Sequence, residues 1–67
     1  MVLKEFGRRV RQLRLKHGWS QEAFALECGL DRTYISGLEQ GKRNVSLKNI
    51  KKICDCLGVS LSEFFDF

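Results

Sequence analysis

The chain has 67 residues, a net charge of +4 and an isoelectric point near 9.3. A chain this short forms one domain with a small core, and its 43% hydrophobic and 30% charged residues exclude a disordered tail. No apolar run approaches the roughly 20 residues of a membrane span, and no signal peptide is recognisable, so we expect a cytoplasmic protein without a membrane partner.

Five helices are predicted, and no stretch alternates as a strand would. Helix one is predicted over residues 2–17, where Phe6, Val10 and Leu13 recur at helical spacing. The other helices are predicted over 21–28, 32–40, 47–57 and 61–66. The fold class is therefore all-α, with one domain over residues 1–67.

The four junctions between these helices share one pattern. An apolar residue precedes a Ser or Asp, and a second apolar residue follows four positions later. The Ser or Asp caps the next helix, and the apolar pair forms a hydrophobic staple across its first turn. The predicted caps are Ser20, Asp31, Ser46 and Ser60, the predicted staples are Trp19–Phe24, Leu30–Ile35, Val45–Ile50 and Val59–Phe64, and Ser60 with Glu63 forms a capping box.

A tight turn joins helices two and three. Gly29 can end helix two in the left-handed conformation, and only two further residues, Leu30 and Asp31, precede the start of helix three. So short a connection fixes the angle between the two helices. Residues 20–40 therefore indicate a helix-turn-helix, whose second helix can enter the major groove of DNA.

Two segments carry a resemblance that covers about residues 6–65. RQLRLKHGWSQEAFALECGLDRTYISGLEQGKRNVSL (11–47) and LGVSLSEFF (57–65) resemble the phage-repressor and Cro type of helix-turn-helix regulators, also called the xenobiotic-response-element type. Residues 29–47 also resemble the small controller proteins of restriction-modification systems, which bind operators as dimers. The resemblance implies a compact, lambda-repressor-like fold of five helices.

The resemblance also implies roles for individual residues. Gln21, Lys42, Arg43 and Asn44 match phosphate contacts, Arg32 and Thr33 match base-reading positions, Tyr34 matches a mixed position, and Ser36 matches another groove-facing one. Arg14 and Glu39 match a buried ion pair between helices one and three. At Gly37 some relatives place a longer polar side chain in the groove, which leaves readout at that position open.

Helical geometry supports the assignment of a reading face. If Ile35 and Leu38 pack inward, Arg32 and Ser36 point outward. The guanidinium of Arg32 matches the O6 and N7 acceptors of guanine, a contact worth about 1–3 kcal/mol of discrimination. Thr33 offers a hydroxyl group, or a methyl group to thymine. Helix three is therefore the predicted reader of DNA bases.

The same residues have structural alternatives. In this alternative, Arg32 would be an ordinary solvated charge, and Tyr34 would be a half-buried packing residue with its hydroxyl in water. Lys42 and Arg43 would cap the last carbonyls of helix three. Gly37 would serve close packing, at a cost of about 1 kcal/mol relative to alanine. The location of these residues on or next to helix three favours the DNA-binding interpretation.

The C-terminal end is rich in aromatic residues. Phe65 and Phe67 have little left to cover in a core of this size, and exposed aromatics predict a partner surface. The resemblance implies a symmetric homodimer through residues 60–66, with Leu61 also in the interface. Dimer symmetry would place two recognition helices about 34 Å apart on a palindromic site. The alternative is that these rings close the lower edge of the core.

Neither metal nor cofactor is expected. Cys28, Cys54 and Cys56 are interpreted as small, mostly buried hydrophobic residues, and His17 as a capping or solvated side chain. The alternative is a thiol sensor, which predicts rapid labelling of Cys54 or Cys56 in the native protein. No nucleophile, base and orienting group converge in the sequence, so no catalytic residue is predicted.

The expected function is that of a sequence-specific, dimeric DNA-binding transcriptional regulator without a small-molecule ligand. A restriction-modification controller is the sharper form of this expectation. The first alternative is an antitoxin-like protein-interaction module that keeps the same fold. A nonspecific architectural DNA-binding protein is the second.

Overall fold

The computed structural model describes residues 2–67. These residues form five helices, α1 (Val2–Lys16), α2 (Gln21–Cys28), α3 (Arg32–Glu39), α4 (Leu47–Leu57) and α5 (Leu61–Phe64), and contain no strand. The prediction of an all-α fold with five helices is confirmed. The predicted bounds of helices two and four match the structure, whereas the other three helices end one or two residues earlier than predicted.

The largest of these errors is at α5, which was predicted to reach residue 66 and ends at Phe64. The N–H group of Asp66 donates to the Glu63 carbonyl at 3.3 Å, a tighter turn than an α-helix makes. The Arg9 side chain donates to the same carbonyl at 2.7 Å. Arg9 also donates to the Phe64 carbonyl at 2.8 Å, so a side chain from α1 binds both of the last carbonyls of α5 where the helix stops.

The predicted caps are all present. Each cap side chain accepts a hydrogen bond from a backbone N–H in the first turn of its helix, namely Ser20 from Ala23, Asp31 from Thr33, Ser46 from Asn49 and Ser60 from Glu63. The backbone N–H of Ser60 in turn donates to the Glu63 carboxylate at 3.0 Å, which completes the predicted capping box. Every helix from α2 onward therefore starts where its cap predicts.

The core gathers residues from all five helices. Its buried members are Phe6, Val10, Leu13, Phe24, Ala25, Cys28, Ile35, Leu38, Ile53, Cys54, Leu57 and Phe64. The apolar residues before the four caps, Trp19, Leu30, Val45 and Val59, pack against this cluster. α3 packs against both α1 and α2, so two of its neighbours hold it from the inner side.

The turn between α2 and α3 depends on Gly29. Its φ of 70° is left-handed, a conformation that is strained for residues with a side chain. The N–H group of Leu30 then donates to the Ala25 carbonyl at 2.9 Å, which closes α2. Asp31 can therefore start α3 directly after Leu30, and the angle between the two helices is set.

Gly7 lies where α1 meets the end of α3, a contact that the sequence did not indicate. A Cβ atom added to this buried glycine would overlap the carbonyl oxygen of Leu38 and lie 2.8 Å from that of Glu39. Both are backbone atoms and cannot rotate away. Glycine at this position therefore permits α1 and α3 to approach each other.

We expect Gly7→Ala to lower the free energy of unfolding by about 1–3 kcal/mol, because the new methyl group overpacks this contact. Gly37→Ala is the matched control, since its Cβ would meet only the flexible Arg43 side chain. That variant should gain up to about 1 kcal/mol from helix propensity. Urea unfolding of both variants makes the comparison, and equal stabilisation of the two would contradict this account of Gly7.

Candidate nucleic-acid interface

The polar residues of α3 lie on its outer face. Ile35 and Leu38 are completely or almost completely buried, whereas Arg32 and Thr33 are exposed and Ser36 is half-buried. The Asp31 cap fixes the first turn, so Arg32 and Thr33 are presented at the start of the helix. This arrangement leaves a row of hydrogen-bonding groups available to a ligand.

A fork of hydrogen bonds joins α1 to α3. Arg14 Nε lies 2.7 Å from Glu39 Oε2, and Arg14 Nη2 lies 3.0 Å from Glu39 Oε1. The remaining terminal nitrogen of the guanidinium donates to the Trp19 carbonyl at 2.6 Å. The two side chains are only 8% and 5% exposed, so solvent screens this pair little. The structure thus brings the predicted ion-pair residues together inside the domain.

Gln21 is connected to the same fork. Its amide nitrogen donates to Glu39 Oε1 at 3.1 Å, a contact that the sequence did not indicate. The side chain lines a shallow hollow between the starts of α2 and α3, together with Arg14, Ser20, Glu22 and Arg32. The first backbone N–H groups of α2 and the Arg32 guanidinium are both suited to bind an oxyanion at such a place.

Arg43 lies across the outer side of α3. Its guanidinium carbon is 5.7 Å from the centre of the Tyr34 ring, a cation–π distance. A Cβ on Gly37 would lie 2.8 Å from Arg43 Cγ, so the aliphatic part of Arg43 occupies the space that a side chain at position 37 would need. The Tyr34 hydroxyl also accepts a hydrogen bond from Asn49 at 3.1 Å, which orients the ring from α4.

The loop after α3 carries the other predicted phosphate contacts. Lys42 and Asn44 are exposed, and Lys42 is held at its backbone, where its N–H donates to the Gly37 carbonyl at 2.9 Å. Gly41 has a left-handed φ of 73°, which turns the chain away from α3. The lysine side chain is thus carried by a defined turn next to Arg43.

The residues of the predicted dimer surface lie at the C-terminal end. Leu61, Phe65 and Phe67 are 40%, 44% and 62% exposed, whereas Phe64 is fully buried. The Phe65 ring is 6.0 Å from Phe6 and 6.1 Å from Phe67, measured between centroids. Phe65 therefore partly covers the core, as the alternative interpretation predicted, but the side chains of Leu61, Phe65 and Phe67 remain exposed.

Two of the three thiol groups, those of Cys28 and Cys54, are poorly placed for reaction. Burial, and a hydrogen bond that the Cys28 thiol donates to Cys56, raise the pKa of Cys28, and burial raises the pKa of Cys54. Thiolate, the reactive form, is therefore scarce at neutral pH for both residues. Cys56 is half-buried. Cys54, one of the two residues that a thiol sensor would expose, is only 1% exposed.

His17 has partners in the structure that give it a structural role. His17 Nε2 lies 3.0 Å from the Leu57 carbonyl at the end of α4, and its ring stacks on Trp19 at 4.3 Å between ring centroids.

Within residues 2–67 there is no cluster of three or more potential metal-ligating side chains. In the same part of the chain, no helix has the length and apolar character to cross a membrane.

Comparison with known proteins supplies independent information. A helix-turn-helix family profile matches residues 10–64. Control protein C.BamHI of Bacillus amyloliquefaciens is 57% identical over 63 residues, which cover 92% of this chain and 78% of that protein.

Solved structures agree with that comparison. The restriction-modification controller protein C.AhdI from Aeromonas hydrophila superposes with a TM-score of 0.89 at 49% identity, covering 94% of this chain and 91% of the other. The controller protein C.Esp1396I, solved as a tetramer in complex with its natural 35 base-pair operator, superposes with a TM-score of 0.90 at 38% identity, covering 98% and 87%. Similarity thus extends over the sequence and the fold alike.

Proposed function

The chain belongs to the helix-turn-helix family of phage-repressor and Cro type, and from that premise we propose that it is a sequence-specific transcriptional regulator. It binds a palindromic operator in double-stranded DNA as a homodimer. The observation that carries the proposal is the outer face of α3, where hydrogen-bonding side chains stand opposite a buried apolar face. Residues 20–40 are the DNA-binding unit of a single domain spanning 1–67.

Base reading is assigned to the first half of α3. Arg32 presents a planar fork to guanine O6 and N7, and Thr33 presents a hydroxyl and a methyl group to the neighbouring base. Ser36 is one turn further along the same face and contacts the next base edge. Tyr34 adds a base or phosphate contact from the side of the helix, where Asn49 supports its hydroxyl group.

Phosphate contacts are assigned to two places that flank α3. Gln21 and the first N–H groups of α2 bind one phosphate, and the Glu39 carboxylate orients the Gln21 amide for this contact. Lys42, Arg43 and Asn44 bind the backbone from the loop after α3. Such contacts are independent of sequence, and they determine how steeply affinity falls with salt.

Dimerisation is assigned to the C-terminal end. Leu61, Phe65 and Phe67 form an exposed apolar surface there, and isologous contact of two such surfaces buries it. Two recognition helices then lie about 34 Å apart, which is one turn of B-form DNA. Dimer formation makes operator occupancy depend on the protein's own concentration.

The finer proposal is that the regulated genes belong to a restriction-modification system. Its support is the identity to C.BamHI and the superposition on C.AhdI, both controller proteins. The C.Esp1396I tetramer on its operator supports further pairing of dimers on DNA. The proposal includes a cytoplasmic location and no enzymatic activity or cofactor.

Selection of random duplex DNA by the purified protein, followed by sequencing, tests the proposal. We expect enrichment of a palindrome whose half-sites are about one helical turn apart. Salt-sensitive binding without enrichment would indicate an architectural protein instead. If no DNA were retained, the antitoxin-like module would become the better explanation, and a stoichiometric protein partner would be sought.

Arg32→Ala should relax base preference at one position of each half-site by about 1–3 kcal/mol, because the bidentate contact of the Arg32 guanidinium with guanine is lost. Binding of the selected operator and of single-base variants measures the effect. Arg11→Ala removes the same charge from an exposed position of α1 and serves as the control. The assignment of α3 as reader fails if Arg32→Ala weakens every sequence equally.

Arg43→Ala should weaken all sequences alike and flatten the plot of log affinity against log salt by about one unit, as loss of one phosphate contact requires. Lys51→Gln is the control, because Lys51 pairs with Asp55 at 2.8 Å. It also lies two residues after Asn49, on the side of α4 opposite to the Asn49–Tyr34 contact. This variant should leave the slope nearly unchanged. A change in base preference with an unchanged slope would instead make Arg43 a base reader, since it lies over Tyr34 and Gly37.

A further inference from the structure

Arg9 connects α1 to the last residues of α5. Its Nε donates to the Phe64 carbonyl at 2.8 Å, and its Nη2 donates to the Glu63 carbonyl at 2.7 Å. Its remaining nitrogen donates to the Gln12 side chain at 3.0 Å, one turn further along α1. All three guanidinium nitrogens are therefore engaged, and the side chain is held in one orientation.

The two carbonyls that Arg9 binds lie at the C-terminal end of α5. This helix has only four residues, so its own hydrogen bonds hold it weakly. A positive charge at a helix C-terminus is favourable, and charged donors form stronger hydrogen bonds than neutral ones. Arg9 thus acts as a clamp on α5 that is supplied by a distant helix.

The chain turns at this clamp. The Phe65 N–H still donates to the Leu61 carbonyl at 3.1 Å, but the Phe67 N–H donates to the Phe65 carbonyl at 3.0 Å. The turn brings Phe67 back beside α1. There its ring lines a hollow of about 430 Å³ together with Glu5, Arg8, Arg9 and Gln12.

We propose that Arg9 is a positioning residue for the dimer: by clamping the end of α5 it sets the direction in which Phe65 and Phe67 leave the core. The inference rests on the proposed function, in which these two rings meet a second copy of the chain. An interface of two copies needs each ring in one place, because ordering a mobile segment on association lowers affinity. Arg9 orders this segment before the second copy arrives.

The test is the dissociation constant of the folded dimer, measured by sedimentation over a dilution series for wild type, Arg9→Met, Arg9→Lys and Arg11→Met. Arg9→Met keeps an unbranched apolar chain but loses the donors, and we expect the dissociation constant to rise about tenfold or more. Arg9→Lys keeps the charge but cannot donate to both carbonyls through a planar guanidinium, so the dissociation constant should rise less. Arg11→Met, on the exposed side of α1, should stay near wild type.

Urea unfolding of each variant, at dilutions where the chain is monomeric, separates positioning from a purely structural role. A fall in monomer stability with an unchanged dissociation constant between folded monomers would overturn the proposal. If Arg9→Met does not fold, Arg9→Lys decides by the same two measurements. A wild-type chain that is monomeric both in free solution and on its selected operator would overturn the proposed dimer and this role together. An Arg9→Met chain that dimerises like wild type would overturn this role alone.

Discussion

The fork between Arg14 and Glu39 is the interaction on which the placement of α3 depends. It joins the last residue of α3 to α1, and the same guanidinium binds the Trp19 carbonyl just before α2. Apolar packing is not directional, whereas a bidentate ion pair accepts one orientation. Removing one partner would leave a buried charge unpaired, which costs about 3–5 kcal/mol. In a domain this small, that is a large part of the total stability.

α1 therefore connects the two surfaces of the proposed function. Arg14 holds the end of α3, which carries the proposed reading face, and Arg9 holds the end of α5, which precedes the exposed aromatic rings. Gly7, two residues before Arg9 in α1, lets α1 approach α3 closely. One helix with no assigned base contact thus sets the geometry of both the proposed DNA-binding surface and the proposed dimer surface.

Much of the fold could be predicted because it depends on neighbours in the chain. The caps at Ser20, Asp31, Ser46 and Ser60 bind N–H groups two or three residues away, so the helix starts were predictable. Periodicity likewise identified the buried faces. The candidate site came partly from the outward face of α3 and partly from family resemblance. Its residue roles remain predictions, since they concern contacts with a ligand.

By itself, then, the sequence determined the all-α class, the number of helices and their starts, because caps and periodicity act over a few residues. Only the tertiary structure decided which distant groups meet. Arg9 and the Phe64 carbonyl are 55 positions apart, and His17 and the Leu57 carbonyl are 40 apart. The overlong prediction for α5 has the same origin, since a side chain from α1 binds its last carbonyls. The physical reason is that such partners are chosen by how the helices pack, and no local pattern contains that information.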